Sequence, residues 1–145
     1  MICRKFDQGP TLDVAGLNRL RVIIDSSETA RTEVALNIWP AGLLGPPHRH
    51  EQKEQTFFIT AGSGQITVGG ETRDVGVGDV VFVPAGVEHR TVAGEGADLE
   101  YVLFNAFLSD EKEGHATFAE HIDRVKSVRR AQADRAAERE DGQTR

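Results

Sequence analysis

Short runs of β-branched and aromatic residues, broken by glycine and proline, fill the chain as far as Phe107. Arg21 to Asp25 and Thr32 to Trp39 are predicted as the first strands, with the polar stretch Ser26 to Arg31 as the turn between them. Pro40, Gly42, Gly45, Pro46 and Pro47 then crowd the chain so densely that neither a helix nor a central strand continues through them, so a loop delivers the chain to His48. Thr56 to Thr60, Gln65 to Val68 and Glu71 to Val75 are predicted strands, the last two joined into a hairpin by Gly69-Gly70. Gly76, Gly78 and Asp79 turn the chain into Val80 to Val83, which Pro84 and Gly86 end, and a late strand runs from Leu99 to Phe107. Strands this short at this spacing predict an all-β closed barrel or sandwich.

After Ser109 the period changes. Thr117-x-x-Glu120 has the form of a capping box, and Phe118, Ile122, Val125 and Val128 recur at helical spacing, so one amphipathic helix starts there. From Arg130 to Arg145 charges of both signs are interspersed with alanine, the pattern of a solvated, fraying helix end. The division expected is an N-terminal extension over 1–20, a barrel over 21–108 and a helix with a charged tail over 109–145.

Length and charge narrow the picture without changing it. At 145 residues the chain suits one domain with a core, and its 15 glycines fit a protein of many tight turns. A formal charge of −6 gives no basic footprint for nucleic acid or an anionic membrane surface. No apolar stretch approaches the roughly 18 residues a membrane span needs, and MICRKFDQGP has no apolar signal core, so the expected location is the cytoplasm. The single cysteine, Cys3, has no intramolecular disulfide partner.

Candidate chemistry lies in the histidines. His48 and His50 are two residues apart, which on an extended segment turns both imidazoles to one side, as adjacent ligands of one metal require. Gln55 follows near the start of a strand, where its amide oxygen can reach the same centre, and alternation places Phe57 and Ile59 beside it as an apolar wall. His89 follows the Pro84-Ala85-Gly86 turn and is the fourth candidate.

With these residues in place, the sequence resembles the cupin superfamily. Gly42, His48, His50, position 55 and Gly62 fit its first motif, G-x5-H-x-H followed by a glutamate and then x6-G, and Gly78, Pro84, Gly86 and His89 fit its second, G-x5-P-x-G-x2-H-x3-N, whose last position is Ala93 here. The resemblance spans Thr32 to Phe107 and implies a double-stranded β-helix, or jelly-roll barrel, around one divalent ion of manganese, iron, nickel, cobalt or zinc. The family's usual glutamate ligand is replaced by Gln55, with Glu54 immediately before it. The spacing to Gly62 selects Gln55, while a bulge would bring Glu54 inside as ligand or base. Some members do use three His and one Gln, among them enzymes that open unsaturated uronate sugars and bacterial manganese hydroxynitrile lyases.

Three imidazoles and an amide are all neutral, so a divalent ion would keep its full charge. This favours Lewis-acid work on a small substrate bearing a carbonyl, hydroxyl or carboxylate, hence a lyase or isomerase. An iron or nickel dioxygenase and a non-catalytic sugar-binding barrel are the alternatives. Tyr101 would be a proton donor if it, Leu103 and Asn105 face inward. Arg49 and Glu51 are expected to form a surface ion pair or an interface contact, Glu88 either to orient His89 or, as charged residues at such a turn commonly are, to be solvated, and His115 and His121 to sit on the surface. The apolar stripe of the helix needs cover, on its own barrel or across a dimer, and the resemblance, cupins being commonly dimers, implies a homodimer.

Overall fold

The computed structural model describes the backbone of residues 1–143 and the side chains of residues 1–131. Nine strands precede one long helix: β1 Thr11–Val14, β2 Asn18–Ile24, β3 Thr32–Trp39, β4 Lys53–Ala61, β5 Ser63–Val68, β6 Glu71–Gly76, β7 Val80–Val83, β8 His89–Ala93, β9 Leu99–Phe107 and α1 Phe118–Gln143. Short 3-10 turns occupy Ser26–Glu28 and Lys112–Gly114. A six-stranded sheet, in the order β1-β2-β3-β9-β4-β7, faces a three-stranded sheet, β6-β5-β8. Every strand pair is antiparallel. This is the jelly-roll barrel expected, with the helix at its C-terminal end.

The core between the sheets joins Leu20, Ala35, Trp39, Phe57, Tyr101 and Leu103 of the larger sheet to Ile66, Val75 and Ala93 of the smaller. Alternation decides which side chains enter it. Along β9, Leu99, Tyr101, Leu103, Asn105 and Phe107 are buried while the residues between them face outward. Along β4 the inward set is Lys53, Gln55, Phe57 and Ile59. The one register shift of this strand against β9 falls between Ile59 and Ala61, so no bulge disturbs Glu54, which pairs regularly with Ala106 on the outer face.

The hairpin between β5 and β6 turns on Gly69 and Gly70, whose φ values of 57° and 89° suit the twist of the flanking strands and are costly for other residues. β1 lies within the stretch read as an extension, and pairs with β2 through a turn at Ala15 and Gly16.

The proline-rich loop is more ordered than its composition predicts. From Gly42 to His50 it runs antiparallel along the free side of β8, with bridges at Leu44–Val92 and His48–His89. Gly45 makes this fit possible, because a Cβ there would stand 2.6 Å from Thr91 O and 2.7 Å from the Trp39 ring.

Phe118 and Ile122 join the barrel core and Val125 packs against it, so α1 covers its own barrel. Val128 remains 51% exposed. The capping box forms with a shift of one residue: Thr117 Oγ1 accepts from Glu120 N at 3.2 Å, while the Glu120 carboxylate reaches back to Ala116 N at 2.8 Å. The solvated tail expected over Arg130 to Arg145 lies largely outside the described side chains. No helix among the described residues is long and apolar enough to cross a membrane.

Candidate metal centre

Two backbone hydrogen bonds, His48 N to His89 O at 3.0 Å and His89 N to His48 O at 2.8 Å, lock the loop to the first residue of β8. A directly paired antiparallel couple of this kind projects both side chains to the same face, and the two rings stand 4.3 Å apart. Gly86 N donates to His50 O at 2.7 Å, and the His50 ring lies 5.2 Å from that of His48 and 5.5 Å from that of His89. One ligand atom from each of the three lies within 4.8 Å of the others.

The tautomers are set by the loop. His48 Nδ1 faces Pro46 O at 3.1 Å and His89 Nδ1 faces Val87 O at 3.0 Å. A carbonyl can only accept, so each ring carries its proton on Nδ1 and keeps the Nε2 lone pair. Burial lowers all three pKa values, that of His89 to about 4; the Lys53 charge adds to the effect at each ring, and neighbouring histidines add to it at His50 and His89. The neutral form that binds a metal is therefore the resting form. His89 Nε2 is buried with no hydrogen-bond partner.

Gln55 completes the inward set. Its Nε2 donates to Asn105 Oδ1 at 2.9 Å, which leaves Oε1 buried and unpaired. An orphaned imidazole nitrogen and an orphaned amide oxygen on the same barrel interior are what a divalent cation would satisfy, and the donors suit manganese, iron, nickel, cobalt or zinc. Phe57 and Ile59 are buried on the same face of β4 as Gln55, and the Phe57 ring lies 6.3 Å from that of His89.

Other expectations divide. Glu54 is half-buried on the outer face. Tyr101 does face inward, but its hydroxyl accepts from Asn37 Nδ2 at 3.0 Å and Trp39 Nε1 at 2.9 Å, which commits its proton to Thr91 Oγ1 at 3.1 Å. Burial pushes its pKa up to about 12. Arg49 and Glu51 form the exposed ion pair anticipated, at 2.9 Å. Glu88 is exposed, the solvated one of its two readings, and the carbonyl of Val87 is what orients His89.

His115 and His121 are not surface residues. His115 is 4% exposed, and its ring stacks on His121 at 4.6 Å. They enter the barrel mouth because the 3-10 turn at Lys112–Gly114 folds the chain back over it. Lys112 and Glu113 both adopt positive φ, 47° and 57°, a strain of the order of 1 kcal/mol or more each that non-glycine residues accept only when held by their surroundings. Lys112 Nζ donates to the carbonyls of Ser26 and Thr29, and Glu113 turns inward. Glu113 Oε2 stands 3.0 Å from the fully buried Lys53 Nζ, and its Oε1 stands 4.0 Å from His50 Nδ1. Desolvation lowers the Lys53 pKa against the opposing pull of Glu113 and Glu33. Lys53, Glu33 and Glu113 belong to no motif that marks them in the sequence. Lys53 shares the parity of Gln55, and Glu33 that of Ala35 and Trp39, which are the signals that place them inside.

A flattened barrel of two antiparallel sheets whose loop and β8 present three histidines to its interior defines the class: the chain belongs to the cupin superfamily. The family model for the cupin domain matches residues 35–105. Dimethylsulfoniopropionate lyase DddW of Ruegeria pomeroyi is 34% identical over 105 residues, covering 68% of this chain and 66% of that protein, so the chain spans just under two thirds of this relative. Among solved structures, KdgF from Halomonas sp. is 25% identical, covers 67% of this chain and 86% of its own, and superposes with a TM-score of 0.59. A predicted oxalate decarboxylase from Thermotoga maritima, 18% identical over 72% of this chain and 97% of its own with a TM-score of 0.65, shares the fold.

Proposed function

We propose that this protein is a metal-dependent lyase acting on a small carboxylate, with the ion held by His48, His50, His89 and the Gln55 amide oxygen. The observation that carries this reading is the grouping of the three imidazoles, with two unpaired acceptors, His89 Nε2 and Gln55 Oε1, buried in the same barrel. Bound by four neutral donors, a divalent ion would supply Lewis acidity toward a substrate carboxylate, carbonyl or hydroxyl. Lyase is favoured over isomerase by the name of the Ruegeria relative, which makes dimethylsulfoniopropionate the first compound to test.

The chain's own residues have separate tasks in this reading. Pro46 and Val87 carbonyls orient the two imidazoles, and Asn105 orients the Gln55 amide. Phe57, Ile59 and Val83 exclude water from the apolar wall. Glu113 is the inward carboxylate placed to take a proton from the substrate, and Lys53 is the buried cation that steadies a negatively charged occupant.

The test is metal content by plasma mass spectrometry together with release of dimethyl sulfide from dimethylsulfoniopropionate, for the wild type and for His48→Ala and Gln55→Ala. Metal and turnover lost together in the variants support the reading. A wild type that holds no metal after reconstitution sinks it. Metal retained with no elimination, but with oxygen uptake on other small acids, would move the protein to the dioxygenases.

A further inference from the structure

Beside the first histidine cluster the barrel holds a second one, built from residues outside both cupin motifs. Glu33 on β3 has a fully buried side chain, and among the described residues its only side-chain hydrogen bond is from Asn105 Nδ2 to Oε1 at 2.7 Å. Its Oε2 is unpaired. His115 Nε2 stands 3.8 Å from that oxygen, and His121 Nδ1 stands 3.9 Å from Oε1, both too far for a hydrogen bond. Both ring nitrogens of His115 and Nδ1 of His121 are buried without a hydrogen-bond partner. Each unmet buried polar group costs about 1–3 kcal/mol, so three neighbouring residues that each hold such an atom call for an occupant.

We infer that Glu33, His115 and His121 form a second divalent metal site, of the zinc class, distinct from the one on His48, His50 and His89. The donor atoms lie within 4.8 Å of one another. A tetrahedral ion bound at about 2.0–2.2 Å holds its ligands about 3.3–3.6 Å apart, so the carboxylate–imidazole gaps of 3.8 and 3.9 Å need close by only about half an ångström or less. Two imidazoles and one carboxylate leave the fourth position open, the arrangement of a reactive rather than a purely structural zinc. The carboxylate also makes this site anionic where the first is neutral, and imidazole with carboxylate suits zinc. Asn105 connects the two centres, accepting from Gln55 and donating to Glu33. His50 and His121 approach to 6.1 Å between rings.

An ion here would tie three distant parts of the chain together: β3, the segment before α1 and the first turns of α1. The inference does not depend on the first site or on the reaction proposed for it. The experiment uses the full chain, untagged, stripped with chelator, saturated with zinc, desalted and measured for zinc per chain. Two equivalents are expected in the wild type, one in His89→Ala, one in His115→Ala and none in the double variant. Glu33→Gln, which preserves shape, is the second probe should His115→Ala unfold by circular dichroism, and it too should lose one equivalent. Cobalt added to His89→Ala should give visible absorption from the remaining centre, abolished by Glu33→Gln. Zinc content unchanged by His115→Ala and by Glu33→Gln would overturn the second site. Content unchanged by His89→Ala, yet lowered by His115→Ala, would leave the second site standing and remove the first.

Discussion

His48 and His89, separated by 41 positions in the chain, hydrogen-bond to each other twice through their main chains, and their rings meet at 4.3 Å. Loop closure and ligand placement are thus one event. An ion bound to the folded state alone stabilises it by mass action, by about 2.7 kcal/mol at a hundredfold excess over its dissociation constant. Chelation should therefore lower Tm by roughly 5–10 °C, and manganese or zinc should restore it. The increment should shrink in His89→Ala. An equal increment in wild type and variant, read by differential scanning fluorimetry, would show that this pair holds no ion.

Glu113 is expected to matter for turnover more than for metal. Removing a proton acceptor from a site of this kind costs about a hundredfold or more in rate. Glu113→Gln should keep the metal content of the wild type and lose activity to that extent. Full activity in the variant would return the proton transfer to another group.

Asn105 should be a stability residue. Its amide satisfies Gln55 on one side and Glu33 on the other, at 2.9 and 2.7 Å, and it is 1% exposed. Asn105→Leu leaves a buried carboxylate oxygen and an amide N–H unpaired, at a cost of about 3 kcal/mol. Urea denaturation should show the midpoint falling with an unchanged slope.

The chain has a single tyrosine, so tyrosinate absorbance reports Tyr101 alone. Its pKa is raised from 10.0 to about 12 by burial, so the folded state holds the proton where the unfolded state has lost it. The resulting stability is complete below pH 10 and declines as pH rises toward 12. Spectrophotometric titration of the native protein should show a midpoint near 12. A midpoint near 10, with the fold intact, would mean that the hydroxyl is in contact with water.

The dimer expected from the helix stripe needs a different surface, since Phe118 and Ile122 are spent on the barrel. Phe58, Val80, Phe82 and Phe104 are exposed on the outer face of β4, β7 and β9, where register sets Phe58 against Val80 and places Thr56 between Phe82 and Phe104. Such a patch favours self-association. Light scattering should show a dimer at micromolar concentration, converted to monomer by Phe58→Asp with Phe82→Asp.

Much of the fold is legible in the sequence because alternation and turn chemistry are local. Gly69-Gly70 announces its hairpin, and Tyr101, Leu103 and Asn105 share a face whichever way the strand turns. Gln55 against Glu54 is decided by the absence of a bulge, a matter of register with β9 that only the folded sheet fixes. The buried charges are illegible for a related reason. Lys53, Glu33 and Glu113 look solvated by type, and each is inside because its partner arrives from a distant segment: Glu113 for Lys53, and Asn105 for Glu33. Pro46 and Pro47 misled in the opposite sense, since they bar a central strand but not an extended segment lying at a sheet's margin.

That margin has a consequence of its own. An open strand edge is a template on which another molecule can add a strand, and many proteins must blunt theirs. The free side of β8 is occupied by the segment from Gly42 to His50, whose amides at Gly45 and His48 are spent on it, while that of Gly42 goes to Gly94 just beyond. Of the positions left over, Pro46 and Pro47 have no hydrogen to offer. The stretch of chain that brings two histidines to the metal thereby also seals this flank against the stacking of one molecule on the next.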